Sequence, residues 1–347
     1  MKASVYLGPK SLAVVEVPDL PMAADELRIR TLYSGISHGT EMNVYRGHAP
    51  FFKKEYDPAT RLFVDAKEEK TWQYPIRSCD PGVWYLGYSS VGKVVEKGPD
   101  VQGVEIGDIV YTDGPHQSEV IRKADRVFKV PPGVNPKHAV VFTNLVTAFN
   151  GILDAKIKLG DVVVVMGLGV VGQLVAQLAK MSGGTVIGVD MIEMRRQAAL
   201  DNGADAVFDP AASDVAMEVR AMTRNRGADV VIDVSGSHHA LNEAIRIVAP
   251  EQTIVAMSWY PNLSPLSLSE EFHHNRVTIK CSQTNHTAPE FAHLWPIERK
   301  REQCLRILPH LKLDNVITTS FPFEQINEAF ATVDQQPQHI IQCVLEY

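Results

Sequence analysis

The stretch "VVVVMGLGVVGQLVAQLAK" places Gly167, Gly169 and Gly172 in a G-x-G-x-x-G spacing, between a valine-rich run and an apolar helical pattern. Each glycine answers its own steric demand. Gly167 permits a tight turn, Gly169 lets backbone approach a pyrophosphate, and Gly172 lets a helix pack close to a strand. Val170 and Val171 open that helix, where free N–H groups and the positive end of the dipole favour phosphate. Asp190 ends the next strand, "TVIGVD", about 20 residues further on. A carboxylate there accepts hydrogen bonds from both ribose hydroxyls and repels a 2′-phosphate. The expected cofactor is therefore NAD(H). Arg195 is counted beside the cofactor, and with Arg196 it is expected on a solvated helix face. Ser235 and Ser258, after the fourth and fifth strands of this region, complete the expected cofactor-binding set.

A second group of residues suits proton chemistry. It lies in "SGISHGTEMNVYRG", Ser34 to Gly47, and in "LGYSSVG". His38 titrates near neutrality and is a candidate acid or base. Tyr88 can donate a phenolic proton, and Ser37 or Thr40 can position a substrate oxygen. His116 in "YTDGPHQSEV" is a weaker candidate. Such groups would serve hydride transfer to or from a hydroxyl or carbonyl carbon.

These residues need two kinds of scaffold. The first ~140 residues carry short alternating runs broken by Gly and Pro, which predicts β structure. From Asp161 to Gln283, six Val/Ile-rich runs alternate with helical segments. Continuous apolar strands separated by helices predict a parallel sheet covered on both faces. The tail, ending "HIIQCVLEY", is expected to fold back onto the first domain.

The chain has 347 residues, enough for two domains, and its net charge of −7 argues against nucleic-acid or anionic-membrane binding. No run approaches a membrane span and no signal-peptide core opens the chain, so a cytoplasmic protein is expected. Its four cysteines, Cys79, Cys281, Cys304 and Cys343, show no C-x-x-C spacing. That argues against a disulfide framework or a cysteine-rich zinc lobe.

With these residues in view, the chain resembles the medium-chain dehydrogenase/reductase superfamily, of the zinc alcohol dehydrogenase type. The landmarks are "SGISHGTEMNVYRG", "LGYSSVGKVVEKG", "GDIVY", "VPPGV", "TAFNGI", "VMGLGVVG", "FHHNRVTIKCSQ" and "FPFEQINEAF". The resemblance implies an α/β protein. A GroES-like β-rich catalytic domain would span 1–143 with 286–347, and a Rossmann doubly wound six-stranded sheet 144–285. It also implies a cleft between them, a small-molecule substrate, and a homodimer or homotetramer.

Members of that family commonly hold a catalytic zinc. Here Ser37 or His38 stands where the family has Cys, Tyr88 and Ser89 replace a His–Glu pair, and Thr143 stands near a later Glu. Asn43 replaces a proton-relay His. No metal is expected. The alternative of a reassembled site from His38, Glu41, His48, Cys79 and His116 matches no metal spacing, and these are expected to be mostly surface or capping residues. The reading is a zinc-independent NAD(H) oxidoreductase interconverting an alcohol and a carbonyl. The alternatives are a double-bond or quinone reductase, a redox-neutral enzyme retaining NAD, and a non-catalytic NAD-binding protein.

Residues 48–85 form a connection of 38 residues, longer than is usual for the family. It carries Phe51, Phe52, Trp72, Tyr74, Trp84 and Tyr85 and reads as an unstructured lid or oligomer contact. Trp259 and Tyr260 are expected near the nicotinamide. His273 and His274 are expected to be structural.

Overall fold

The computed structural model describes residues 1–49, 52–66, 73–80, 82–83, 86–260 and 265–347. Phe51, Trp72, Trp84 and Tyr85 lie outside the described residues. Two compact units are formed, Met1–Val141 with Ile317–Tyr347, and Phe142–Val316. The segment 286–316, expected with the first unit, belongs to the second. The reason is local: helix Ile297–Ile307 packs on helix Phe142–Ala155. The buried Lys300 ammonium donates to Asn150 Oδ1 at 3.0 Å.

The first unit is built on a seven-stranded sheet. Its path runs Val127–Lys129, Ile109–Thr112, Ser90–Lys97, Glu26–Gly35, Gln342–Glu346, Ile317–Pro322, and Glu119–Lys123 also pairs with Glu26–Gly35. The central strand Glu26–Gly35 turns Leu27 and Ile29 into a core with Val94, Val101 and Val110. It ends by delivering Ser34 and a short loop into helix Thr40–Tyr45. That helix buries Met42, Val44 and Tyr45 against Phe330 and Val333. It stops at Tyr45, two residues before Gly47, whose φ of +74° is the left-handed conformation that ends helices. The last strand returns to this place, with Val344 opposite Gly35, Leu345 opposite Ser34 and Glu346 opposite Tyr33.

Two strands lie within the long connection. Lys54–Asp57 and Leu62–Asp65 form an antiparallel hairpin, not the unstructured loop expected from composition. Tyr56 and Phe63 face one another across it, with ring centroids 5.3 Å apart. Cross-strand aromatic pairs of this kind stabilise short hairpins.

The second unit holds a six-stranded parallel sheet of Rossmann type. In spatial order the strands are Ala206–Phe208, Thr185–Val189, Val162–Met166, Ala228–Asp233, Val248–Ala256 and Thr278–Cys281. Val163, Val164 and Val165 are all fully buried, as a strand with helices on both faces requires. Among the described residues no helix is long and apolar enough to cross a membrane.

Candidate active site

In the second unit, Gly167 turns the chain out of strand Val162–Met166 with φ +89°. A Cβ on Gly167 would lie 2.8 Å from Ser235 Cα. At Gly172 a Cβ would lie 1.9 Å from the carbonyl oxygen of Gly167. Around Gly169, by contrast, a Cβ meets nothing within 4 Å. The first and third glycines are fixed by the protein's own packing, and the second leaves open space at the N-terminus of helix Val170–Met181. Val170 is buried in the first turn and Val171 half-buried.

Asp190 is anchored by its neighbours. Its Oδ2 accepts the Leu168 N–H and its Oδ1 the Ile192 N–H, each at 2.8 Å. The expectation of a solvated helix face for Arg195 and Arg196 is corrected. Both side chains are only 16% exposed, because carboxylates draw them inward. Arg195 stands 3.8 Å from Asp190 and Arg196 3.1 Å from Asp209.

Ser235 donates its hydroxyl to Asp233 at 2.6 Å, and Tyr260 donates to the other oxygen of that carboxylate at 2.6 Å. Burial holds the Asp233 carboxyl above its usual range. Burial, reinforced by that carboxylate, also raises the Tyr260 phenol. Tyr260 is thus tied into its own unit, Trp259 is exposed, and Ser258 is half-buried after strand Val248–Ala256. His273 and His274 are exposed on the short helix Glu271–His274.

In the first unit the loop after Glu26–Gly35 brings together residues far apart in sequence. Ser37 Oγ accepts from Tyr88 OH at 2.5 Å and from the Thr40 N–H at 3.3 Å. With both lone pairs engaged, the Ser37 proton is the part of the hydroxyl left to donate. His38 is half-buried in the same loop. Burial pushes the Tyr88 phenol up to about 12, with the nearby Glu41 charge adding to the effect and bonds to Ser37 and Thr40 opposing it. Tyr88 is therefore a donor, not a phenolate, at neutral pH. A difference titration of phenolate absorbance between the wild type and Tyr88→Phe is expected to show one tyrosine ionising near 12. A difference curve centred at the ordinary value of about 10 would contradict it. The same shift, upward in the folded state, predicts stability that is intact below pH ~10 and declines as pH rises from there through the folded value.

Glu41 and His116 depart most from expectation. Neither is a surface residue, since both side chains are 0% exposed. Glu41 Oε2 accepts the Ser37 N–H at 2.7 Å, and Glu41 Oε1 meets His116 Nε2 at 2.7 Å. His116 Nδ1 meets Ser34 Oγ at 2.7 Å, and Ser34 Oγ meets Tyr347 OH at 2.8 Å. Phe330 braces the imidazole edge-on at 6.0 Å. Close backbone approach sets this geometry: at Gly87, with φ +102°, a Cβ would lie 2.6 Å from His116 N. His48 is exposed, and the Asn43 amide donates to the Gly39 carbonyl. Tyr88 also lines a cavity of about 510 Å³ with Cys79, Asp80, Asp113, Gln117 and Arg122.

The chain as a whole has counterparts among known proteins. Residues 170–297 match the zinc-binding dehydrogenase family. The chain belongs to this family of alcohol dehydrogenase-like oxidoreductases. D-guloside 3-dehydrogenase of Escherichia coli (strain K12) is 33% identical over 98% of each chain. Two solved structures share the fold. The 2R,3R-butanediol dehydrogenase of Bacillus subtilis has a TM-score of 0.79 at 19% identity, covering 100% of this chain and 99% of its own. A short chain alcohol dehydrogenase of E. coli CFT073, complexed with NADH, has a TM-score of 0.77 at 19% identity, with the same coverage.

The family name implies zinc, and the residues here can be tested against it. Zinc takes thiolate, imidazole or carboxylate donors and holds one position open. Ser37, Tyr88 and Ser89 offer only neutral hydroxyls, and they are bonded within the protein, Tyr88 to Ser37 and Ser89 to the Val140 carbonyl. Glu41 and His116 are turned onto each other. No cluster of three His, Cys, Asp or Glu forms among the described residues. This donor set does not fit zinc.

Proposed function

We propose that the chain is an NAD(H)-dependent dehydrogenase that interconverts a secondary hydroxyl and a ketone on a sugar-like substrate without zinc. The observation that carries this is the doubly accepting Ser37 hydroxyl, whose proton is free to donate while Tyr88 stays protonated behind it. Bound NAD(H) would supply the hydride, and negative charge would build on the substrate oxygen during carbonyl reduction. A fixed, polarised O–H aimed at that oxygen stabilises the charge, as a metal would in other members.

The sugar-like class is supported by the polar cavity beside Tyr88 and by the glycoside named in the 33% identical relative. NAD(H) is supported by Asp190, whose two anchored oxygens form a rigid acceptor pair. The Arg195 cation stands against that acid, so its charge is offset.

The test is turnover of the purified protein on a panel of glycosides and polyols, with metal content measured on the same sample. Expected are well under one zinc per chain, rates unchanged by a chelator, and a preference for NAD over NADP of ~10-fold or more that Asp190→Ala erodes. A tenfold preference corresponds to about 1.4 kcal/mol, within reach of one like-charge repulsion. A full zinc complement whose removal abolishes turnover would overturn the metal-free reading. A wild type that prefers NADP would overturn the cofactor reading.

A further inference from the structure

Ligands of a parallel sheet lie beyond the carboxyl ends of its strands. At that end of the second unit's sheet, the strand order sets five features in a row. Asp190 follows Thr185–Val189, and the Gly167 turn follows its neighbour Val162–Met166. Ser235 follows Ala228–Asp233, and Ser258 comes shortly after Val248–Ala256. The edge strand Thr278–Cys281 then runs into a turn, Ser282–His286. A dinucleotide with its adenosine at Asp190 and its pyrophosphate at Gly167 has only the ends of the last three strands left for its nicotinamide half. The turn Ser282–His286 bounds that space at the sheet edge.

This turn is tied down by one buried amide. Asn150, on helix Phe142–Ala155, shares its Nδ2 hydrogens among Ser282 Oγ at 3.2 Å, the Gln283 carbonyl at 3.4 Å and the His286 carbonyl at 3.3 Å. Asp154 Oδ2 also accepts from it at 3.1 Å. Lys300 fixes which way the amide faces. An ammonium carries only donors, so at 3.0 Å it takes Asn150 Oδ1 and leaves Nδ2 for the turn. Lys300 reaches the Thr284 carbonyl as well, at 3.3 Å. The turn closes on itself through the His286 N–H and the Gln283 carbonyl at 2.9 Å, while the side chains of Gln283, Asn285 and His286 are exposed. Holding two helices together needs no charge, because apolar side chains of similar volume do that as well or better. Burying an ammonium is costly. What the charge adds is a fixed orientation of the Asn150 amide, and with it of the turn's carbonyls.

On the NAD(H) reading above, we infer that Asn150 and Lys300 are positioning residues for the nicotinamide half of the cofactor, acting through the backbone of Ser282–His286. Both are buried, so neither touches the cofactor itself. No proton or electron passes through them.

The experiment compares NADH with ADP-ribose, which shares the adenosine and pyrophosphate and lacks the nicotinamide. Asn150→Asp separates bracing from positioning. It keeps an oxygen for Lys300, so the two helices stay joined, but it has no N–H for the turn and sets a carboxylate oxygen against the Gln283 and His286 carbonyls. By calorimetry it is expected to weaken NADH ~10-fold and ADP-ribose by less than about twofold, a lost hydrogen bond for one ligand and none for the other. In the wild type, NADH is expected to slow amide hydrogen exchange across 282–286 beyond what ADP-ribose does. Should Asn150→Asp fail to fold, this exchange comparison decides alone. A merely structural role would weaken both ligands alike, or lower the melting temperature with both affinities intact. Either result overturns the inference and leaves the NAD(H) reading standing, as does exchange in 282–286 that the two ligands slow equally. A wild type that binds neither NADH nor ADP-ribose overturns the NAD(H) reading itself.

Discussion

Ser37→Ala is expected to lower kcat by ~10²–10³-fold while NADH still binds, the cost of losing one donor aimed at a developing oxyanion. In energy this is about 2.7–4 kcal/mol, concentrated in the transition state. Tyr88 and the Thr40 amide fill the acceptor sites of Ser37 Oγ, so the serine proton is the group left to point elsewhere. Removing Oγ also leaves the Tyr88 hydroxyl without the acceptor it holds at 2.5 Å. Tyr88→Phe should cost less, because Ser37 keeps its own proton and loses only polarisation. The order of the two effects is therefore diagnostic. Steady-state rates on one accepted substrate, with NADH affinity measured by fluorescence, suffice. If Ser37→Ala retains more than a tenth of the wild-type kcat, Ser37 is not the donor.

Gly172→Ala is expected to destroy the nucleotide site outright. The added methyl would lie 1.9 Å from the Gly167 carbonyl oxygen, a clash no rotamer can relieve because the methyl is fixed to its Cα and the oxygen belongs to the backbone. Helix Val170–Met181 must then move off its strand, and the turn at Gly167 moves with it. Overpacking of a tight site costs about 1–3 kcal/mol even where the surroundings can yield. Here the expected outcome is a loss of NADH affinity of ~100-fold or more, or failure to fold. Gly169→Ala is the control. Its Cβ meets nothing within 4 Å, so the protein should fold with near-normal stability and lose affinity only where the pyrophosphate needs the room. Thermal melts with and without NADH separate the two variants. Equal behaviour of both would mean that the glycines are not divided between packing and ligand.

The sequence made these two places legible for different reasons. The three glycines answer local steric demands within six residues, and the strand and helix around them have plain apolar patterns. Ser37 and Tyr88 were visible because they stand in recognisable short stretches. The partnership of Glu41 and His116 was not visible. It spans 75 residues and depends on Gly87 letting two backbone segments touch, which no periodicity announces. Arg195 misled in the opposite direction. A charged residue on a short helix reads as solvated until the fold sets a carboxylate 3.8 Å away. The boundary at 286 failed because helix Ile297–Ile307 chose its neighbour through one buried lysine, Lys300.

The pairing of Val344 with Gly35 and of Glu346 with Tyr33 has a consequence for biosynthesis. A nascent chain that has reached Val316 already holds every residue of the second unit. The strand carrying Ser34 was made some three hundred residues earlier and still lacks one of its neighbours. Contacts this distant in sequence form late, after local ones, and domains tend to complete as units during synthesis. The second unit is thus able to form first, while the edge of Glu26–Gly35 waits for the final strand. During that interval an open sheet edge beside Ser34 is exposed to other chains, which makes this the step at which a folding helper would matter most.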